Sequence, residues 1–442
     1  MYFQGDRVLR SFRGASTVAW PEDLLKDLVG RGLVAPFRWL VPTEYPIEGN
    51  EPGASWLETS RVPVWSYPYE WCRPQLCDAG LLTLAILREA ITRGWTLKDA
   101  SPFNVQFEGA VPLFVDLNSF EPRSSEGPWL AYRQFCREFI APAAVGFHLS
   151  DEWRRLLTRT PDGLDLDACS RALPLSSLLD LGAFFHVLLP AFFERRVRFP
   201  GRDASRLRLA TSRLLAIVGS LEEALRRWRL PRRVSPWAGY SDDPRSYSKP
   251  GLAAKEAVLR SHLARVGKIG LALDLGCNTG RFTRLIMAHA ARVVAIDSDD
   301  ASIAVLYESL ASERNRAVLP LCFDFVAPAP ALGWRCAERE SFDARVRPDL
   351  VSALALVHHV CAGRGIPLRE FLGYLASLAP RVILEWVPPE DPMARPLLDR
   401  IPGAASRYTA GIFEAELSAN FEVETRSELP GSSRVMFLLR SR

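Results

Sequence analysis

The chain has 442 residues, 48% of them apolar and 24% charged, with a formal net charge of +4. These are the proportions of a soluble globular protein, and the length is too great for one ordinary core and suits two or three domains. So small a charge excludes a bulk electrostatic pull toward nucleic acid or an anionic membrane. The longest apolar stretch, 173–193, is interrupted by Asp180 and His186, so it predicts a buried helix rather than a membrane span. The eight cysteines form no Cys-x-x-Cys pair and no metal-ligand spacing with histidine. No metal site is expected, and they read as reduced thiols of a cytoplasmic protein.

Residues 1–5, Met1-Tyr2-Phe3-Gln4-Gly5, read as a protease-cleavage scar and are left out of fold reasoning. Residues 6–70 are rich in Trp, Pro and Gly with short apolar runs, which predicts a small irregular or β-rich layer. From 71 to 230 helical periodicity dominates; windows 77–92 and 173–193 carry apolar residues at i, i+3 and i+4. Within it lie Leu97-Lys98-Asp99-Ala100-Ser101-Pro102-Phe103-Asn104-Val105 and Leu113-Phe114-Val115-Asp116-Leu117-Asn118.

An Asp-x-x-x-x-Asn spacing followed by an apolar strand ending in Asp is similar to the catalytic loop and metal-binding aspartate of protein kinases and aminoglycoside phosphotransferases. That resemblance implies Asp99 as the proton acceptor and Asn104 and Asp116 as magnesium ligands. There is no glycine-rich phosphate loop, and Lys26 is the only lysine upstream of Lys98. The expectation is therefore a kinase-like remnant without phosphotransfer, Asp99 and Asp116 anchoring loops. The arginine-dense stretch 195–233 reads as a solvated basic face; an RNA-binding surface is the alternative, although interleaved aromatics are missing.

Residues 231–250 have the proline- and serine-rich composition of a linker. Trp237, Tyr240 and Tyr247, together with Lys255 just beyond, make the segment a candidate lid or substrate contact. From 251 to 442 short β-branched runs alternate with helical windows. The runs are 271–275, 292–296, 317–323, 349–354 and 381–386; the helices include 281–290 and 367–378. Such alternation argues a parallel sheet wound by right-handed crossovers. The runs 421–429 and 434–440, joined by Pro430-Gly431-Ser432-Ser433, leave no room for a crossover and predict a hairpin. The expected fold class is α/β: a doubly wound, Rossmann-like seven-stranded sheet ending in a β-hairpin, preceded by a mainly helical, kinase-like α+β domain.

Asp274-Leu275-Gly276-Cys277-Asn278-Thr279-Gly280 ends the first of these strands and opens a helix. Gly276 lets the chain turn sharply and Gly280 permits close helix–strand contact. The helix start offers N–H groups to a carboxylate, Asp274 is placed to meet a cationic amino group, and Asp297, about 20 residues on, can accept both ribose hydroxyls. A dinucleotide enzyme would carry a glycine where Asn278 stands, and a phosphate-binding loop would end in Gly-Lys-Ser/Thr. With these motifs the segment resembles a class I S-adenosylmethionine-dependent methyltransferase over essentially all of 251–442.

The resemblance implies S-adenosylmethionine as cofactor. Asp274, Leu275, Gly276, Cys277, Asn278 and Gly280 would lie around its methionine end, Asp297 and Ser298 at the ribose, and Asp324 and Phe325 at the adenine. More narrowly, the runs Asp274 to Thr283, Leu354-Ala355-Leu356-Val357-His358-His359 and Leu384-Glu385-Trp386-Val387-Pro388 are similar to proteins related to a rhizobial nodulation methyltransferase.

An acceptor must lie beyond the strand ends, near the switch point. That makes His358, His359 and Glu385 the catalytic or acceptor-orienting candidates; the other reading has Glu385 pairing with Arg381 or Arg395. The expected function is methylation of a small-molecule or glycan-like metabolite, the first half aiding acceptor recognition, with no membrane or nucleic-acid partner. The alternatives are an RNA or protein methyltransferase, or a bifunctional or regulatory protein whose first half binds nucleotide.

Overall fold

The structure is a computed structural model that describes residues 2–4, 7–13, 20–45, 54–123, 126–196, 208–229 and 249–442. The chain divides into two compact units, Met1–Arg232 and Arg233–Arg442.

In the first unit, β1 (Tyr2–Gln4), β2 (Arg7–Arg13), β3 (Phe37–Trp39) and β4 (Ala54–Ser60) form an antiparallel sheet in the order β1-β2-β4-β3. Tyr2–Gln4, set aside as a scar, thus pair with Arg7 to Leu9 as an edge strand. Leu9, Leu40, Ala54 and Trp56 form an apolar cluster on this sheet. Two small pairings follow: β5 (Trp95–Leu97) with β8 (Phe120–Pro122), and β6 (Val105–Glu108) with β7 (Val111–Phe114).

The window 77–92 forms the helix Arg73–Thr92, which starts one turn earlier because Pro74 suits the first helical turn. The helix Thr211–Trp228 buries Leu214, Val218, Leu221, Leu225 and Trp228, and an Arg88–Glu222 ion pair of 3.1 Å ties the two helices. Arg226, Arg227 and Arg229, from the arginine-dense stretch, pair with Glu222, Asp180 and Asp78. These arginines serve the unit's own fold.

The window 173–193 is not one buried helix. It breaks into a 3-10 turn Leu175–Leu179, a helical turn Leu181–Ala183, a π-helical segment Phe184–Leu188 and the helix Leu189–Arg196. Asp180 causes the break: its carboxylate accepts from the Gly182 and Ala183 N–H groups, which starts a new helix there. The carboxylate is buried, accepting also from Trp228 Nε1 at 2.9 Å. Leu175 and Leu179 are in consequence exposed.

The second unit is built on a sheet in the order β11-β10-β9-β12-β13-β15-β14. Its strands are β9 (Ile269–Leu275), β10 (Ala290–Asp297), β11 (Val318–Cys322), β12 (Leu350–Ala353), β13 (Arg381–Trp386), β14 (Phe421–Glu428) and β15 (Val435–Ser441). Neighbours among β9 to β13 are parallel, while β15 runs antiparallel between β13 and β14. Burial of these central strands on both faces explains their unbroken apolar runs.

Helices Arg281–Met287, Asp300–Ser312 and Leu368–Leu378 supply crossovers, and Lys249–Val266 precedes the sheet. The window 281–290 ends at Met287 because β10 already begins at Ala290. Strand order reverses between β9 and β12, which opens a crevice above their carboxyl ends.

Among the described residues no helix is long and apolar enough to cross a membrane, and no cluster of His, Cys, Asp or Glu suits a metal ion. All eight cysteines are thiols, Cys336 exposed and the other seven buried.

Candidate functional site

The crevice holds a cavity of about 500 Å³, within the size range of sites for small ligands. The turn after β9 supplies its floor. Gly276 and Gly280 have φ of +73° and +86°, where a side chain is strained, and a Cβ on Gly280 would lie 2.3 Å from Leu306 Cδ1. Asn278 takes the left-handed region too, at φ 51°, which asparagine tolerates better than most residues. Its Oδ1 accepts from Thr279 N at 2.7 Å. Asparagine at this position is therefore part of the turn's own hydrogen bonding.

Two carboxylates frame the turn. Asp274 is buried at the end of β9, where Thr283 Oγ1 donates to its Oδ2 at 2.7 Å and Ser352 stands opposite in the register. Burial pushes the Asp274 carboxyl up to about 6, against the pull of the Thr283 and Ser352 hydroxyls. Asp297, ending β10, accepts from Asn278 N at 2.8 Å and Asp299 N at 2.9 Å. Burial raises it as well, although these N–H groups oppose the shift.

At the end of β11, Asp324 accepts from Val326 N at 3.1 Å and pairs with Arg364. Phe325 stacks parallel to Tyr374 with centroids 6.5 Å apart. Asp274, Gly276, Cys277, Asn278, Asp297, Ser298, Asp324 and Phe325 all line the one cavity. Leu275 and Gly280 do not line it; Leu275 is buried in the sheet and Gly280 starts the helix against Leu306.

Past β12 the two histidines part company. His359 lines the cavity, and burial lowers it to about 4, so it is neutral at physiological pH. His358 is fully buried beside it, ring centroids 4.1 Å apart, and is pushed well below the usual histidine range mainly by burial. Neither of its ring nitrogens finds a hydrogen-bond partner among the described residues, and it does not face the cavity.

Glu385 is buried and pairs with Lys255 Nζ at 2.6 Å and Arg434 at 3.5 Å. The expected partners Arg381 and Arg395 are not used; Arg381 bonds Glu424 and the Val266 carbonyl. Side chains alternate along β13, which sends the Arg381 and Glu385 side chains to the same face four residues apart, too far along an extended strand to meet. Lys255, just before the sheet, is itself buried. It is 1% exposed, its Nζ lies 4.4 Å from the centre of the Phe282 ring, and it lines the cavity. Trp237, Tyr240 and Tyr247 lie outside the described residues.

Sequence reasoning also missed Ala355, a cavity residue at φ 49°. A non-glycine residue there is strained, and such strain gathers at functional sites. Nothing in the Leu354-Ala355-Leu356 run signals it.

In the first unit Asp99, Asn104 and Asp116 form one hydrogen-bonded group. Asn104 Nδ2 donates to Ser119 Oγ at 3.2 Å and to the Asp99 carbonyl at 3.4 Å, and Ser119 Oγ donates to Asp116 at 2.8 Å. Asp99 accepts from Gln134 Nε2 at 2.8 Å. Arg10 on β2 is buried, with its Nε 3.9 Å from Asp116. Lys26 instead pairs with Glu22 on an exposed helix face.

No family model matches the chain. It is 27% identical over 446 residues to the nodulation protein NoeA of Rhizobium meliloti (strain 1021), covering 99% of this chain and 92% of that one. The N-methyltransferase NodS of Bradyrhizobium japonicum WM9 is 14% identical, with a TM-score of 0.34 over 44% of this chain and 98% of its own. The bifunctional kinase-methyltransferase WbdD is 18% identical, with a TM-score of 0.32 over 47% of this chain and 43% of its own. The five parallel strands, the reversal between β9 and β12 and the antiparallel terminal hairpin decide the fold. The second unit is a doubly wound, Rossmann-like α/β sheet closed by an antiparallel hairpin. In that unit the carboxyl ends of β9, β10 and β11 present Asp274, Asp297 and Asp324 on one side of the switch point, and the short helix Val357–Cys361 after β12 presents His359 on the other.

Proposed function

We propose that the chain is an S-adenosylmethionine-dependent methyltransferase acting on a small-molecule or glycan-like metabolite, its first unit aiding acceptor recognition. The observation that carries this reading is the placement of Asp274 and Asp297 at adjacent strand ends on one cavity, with Asp297 accepting from the Asn278 N–H of the turn that follows Asp274. Both carboxyls are costly to bury alone, and a nucleoside with a cationic amino-acid tail repays both. A diphosphate would meet the acids Asp274, Asp297, Asp299 and Asp324 around the same space, which favours a sulfonium nucleoside over a dinucleotide.

In this reading Asp274 accepts from the cofactor's amino group, Asp297 from the ribose hydroxyls, and Asp324 and Phe325 border the adenine. The cofactor supplies an electrophilic methyl group. The residues beyond β12 then have to place the acceptor in line and take up a proton where one is released. Neutral His359, on the acceptor side of the switch point, is the candidate to take that proton. Buried His358 is a positioning residue at most.

Calorimetric titration with S-adenosylmethionine tests the reading. Wild type is expected to bind, and Asp297→Ala to weaken binding by about thirtyfold or more, since a carboxylate accepting from two hydroxyls is lost. Unchanged affinity, or preferential binding of NAD, overturns it.

The hydrogen-bonded Asp99–Asn104–Asp116 group with Arg10 favours a second reading, in which the first unit binds nucleotide. We infer a remnant instead, because Asp116 already faces Arg10 and its oxygens accept from Ser119 Oγ and Asn118 N. ATP with magnesium is accordingly expected to raise the melting temperature by less than about 1 °C. A rise of several degrees that disappears in Asp116→Ala supports the second reading.

A further inference from the structure

The helix start after Gly280 is the sequence-based choice for the cofactor's carboxylate. In the structure that helix, Arg281–Met287, is only seven residues long, and a helix of two turns offers little dipole. Arg281 beside it is drawn to Glu256, 2.8 Å away on an exposed surface. The cavity wall carries a different cation. Lys255, six residues into the helix Lys249–Val266, reaches the cavity with its ammonium almost wholly removed from water, against Glu385 and over the Phe282 ring.

A charge placed there is not an accident of packing. It is held by Glu385 at the end of β13, and Glu385 by Arg434, whose guanidinium makes two bonds to Asp391 at 2.7 and 3.0 Å. Two cations and two anions thus balance in a buried chain drawn from the helix Lys249–Val266, β13, the segment after it and the residue just before β15. Asp274 lies close enough for its charge and that of Lys255 to act on each other.

The amino and carboxylate groups of an amino acid share one carbon. An ammonium bonded to Asp274 therefore puts the carboxylate only a few ångströms away. Lys255 and Asp274 line the same cavity with opposite charge, the complement of a zwitterion. We propose that Lys255 pairs with the α-carboxylate of the cofactor's methionine moiety, sharing its ammonium with Glu385, and so selects a ligand that carries that carboxylate. Glu385 is then a positioning residue that keeps the ammonium charged and aimed, rather than a group that meets the acceptor. The inference rests on the S-adenosylmethionine reading of the cavity.

The test compares S-adenosylmethionine with its decarboxylated analogue, which keeps the sulfonium, the nucleoside and the amine. By calorimetry, wild type is expected to bind the intact cofactor at least about tenfold more tightly. In Lys255→Met that preference should shrink to twofold or less. Should the single variant unfold because Glu385 is left buried without its lysine, Lys255→Met/Glu385→Gln removes both charges together and should show the same loss of preference.

Equal binding of the two ligands by wild type overturns the proposal. So does a preference that survives in the variants, which would hand the carboxylate to Arg281 and the helix start. Failure of wild type to bind either ligand is a different result: it removes the S-adenosylmethionine reading itself, and this inference with it.

Discussion

Replacing Arg434 with methionine is expected to destabilise the second unit by about 3–5 kcal/mol, the usual penalty for removing one partner of a buried ion pair. Arg434 is 1% exposed and bridges Asp391 and Glu385, themselves buried. Methionine fills much the same volume but leaves Asp391 without the guanidinium that satisfies both its oxygens. Differential scanning calorimetry should show the transition of this unit falling by roughly 10 °C or more. Arg434→Met/Asp391→Asn should recover part of the loss, because the uncompensated charge is the larger share of the cost. A fall of only a degree or two in the single variant would mean that water reaches the network and the bridge is not a structural tie.

The second large effect concerns pH. Affinity for S-adenosylmethionine is expected to drop by about tenfold for each pH unit below 6. The sign follows from Asp274. Its carboxyl is raised to about 6 by burial, and only the ionised form can accept from the cofactor's ammonium. Between 6 and about 7.5 the carboxylate is ionised and the cofactor's α-amino group still charged, so affinity is flat. Below 6 binding must first expel a proton, and each unit costs a further factor of ten. The groups that face this carboxyl are the Thr283 and Ser352 hydroxyls, Asp297 and Lys255. His359, lowered to about 4, changes charge only further down.

Asp274→Asn should bind more weakly at pH 7.5, by about tenfold or more, and show no acid limb between 6.5 and 5. Titrations at several pH values decide it. A limb that persists in the asparagine variant belongs to another group, and the ammonium assignment falls.

The two histidines show how far a motif carries. The run Leu354 to His359 marks the turn after the fourth strand, because strand ends and acceptor sites coincide in this sheet. Adjacent residues on a helical turn point some 100° apart, so one imidazole meets the cavity and the other the core, and which is which depends on what packs behind them. Arg10 teaches the same lesson. A search for a lysine upstream of Asp99 returns Lys26, yet the cation that faces Asp116 is an arginine more than a hundred residues before it.

The parallel strands, the terminal hairpin and the Asp274 to Gly280 turn with Asp297 behind it were legible along the chain. Each is specified within a short window: apolar runs by burial on two faces, the turn by glycine's access to positive φ, the acids by their place at strand ends. The ends of elements and the break at Asp180 were not, since a carboxylate that caps a new helix competes with a periodicity that looks continuous. Nor was the chain Lys255–Glu385–Arg434–Asp391, whose members lie up to 179 positions apart. Periodicity carries no record of which charges will meet. That is settled when the sheet seats β15 beside β13 and the helix Lys249–Val266 meets the crevice, where a charge shut away from water must find its opposite.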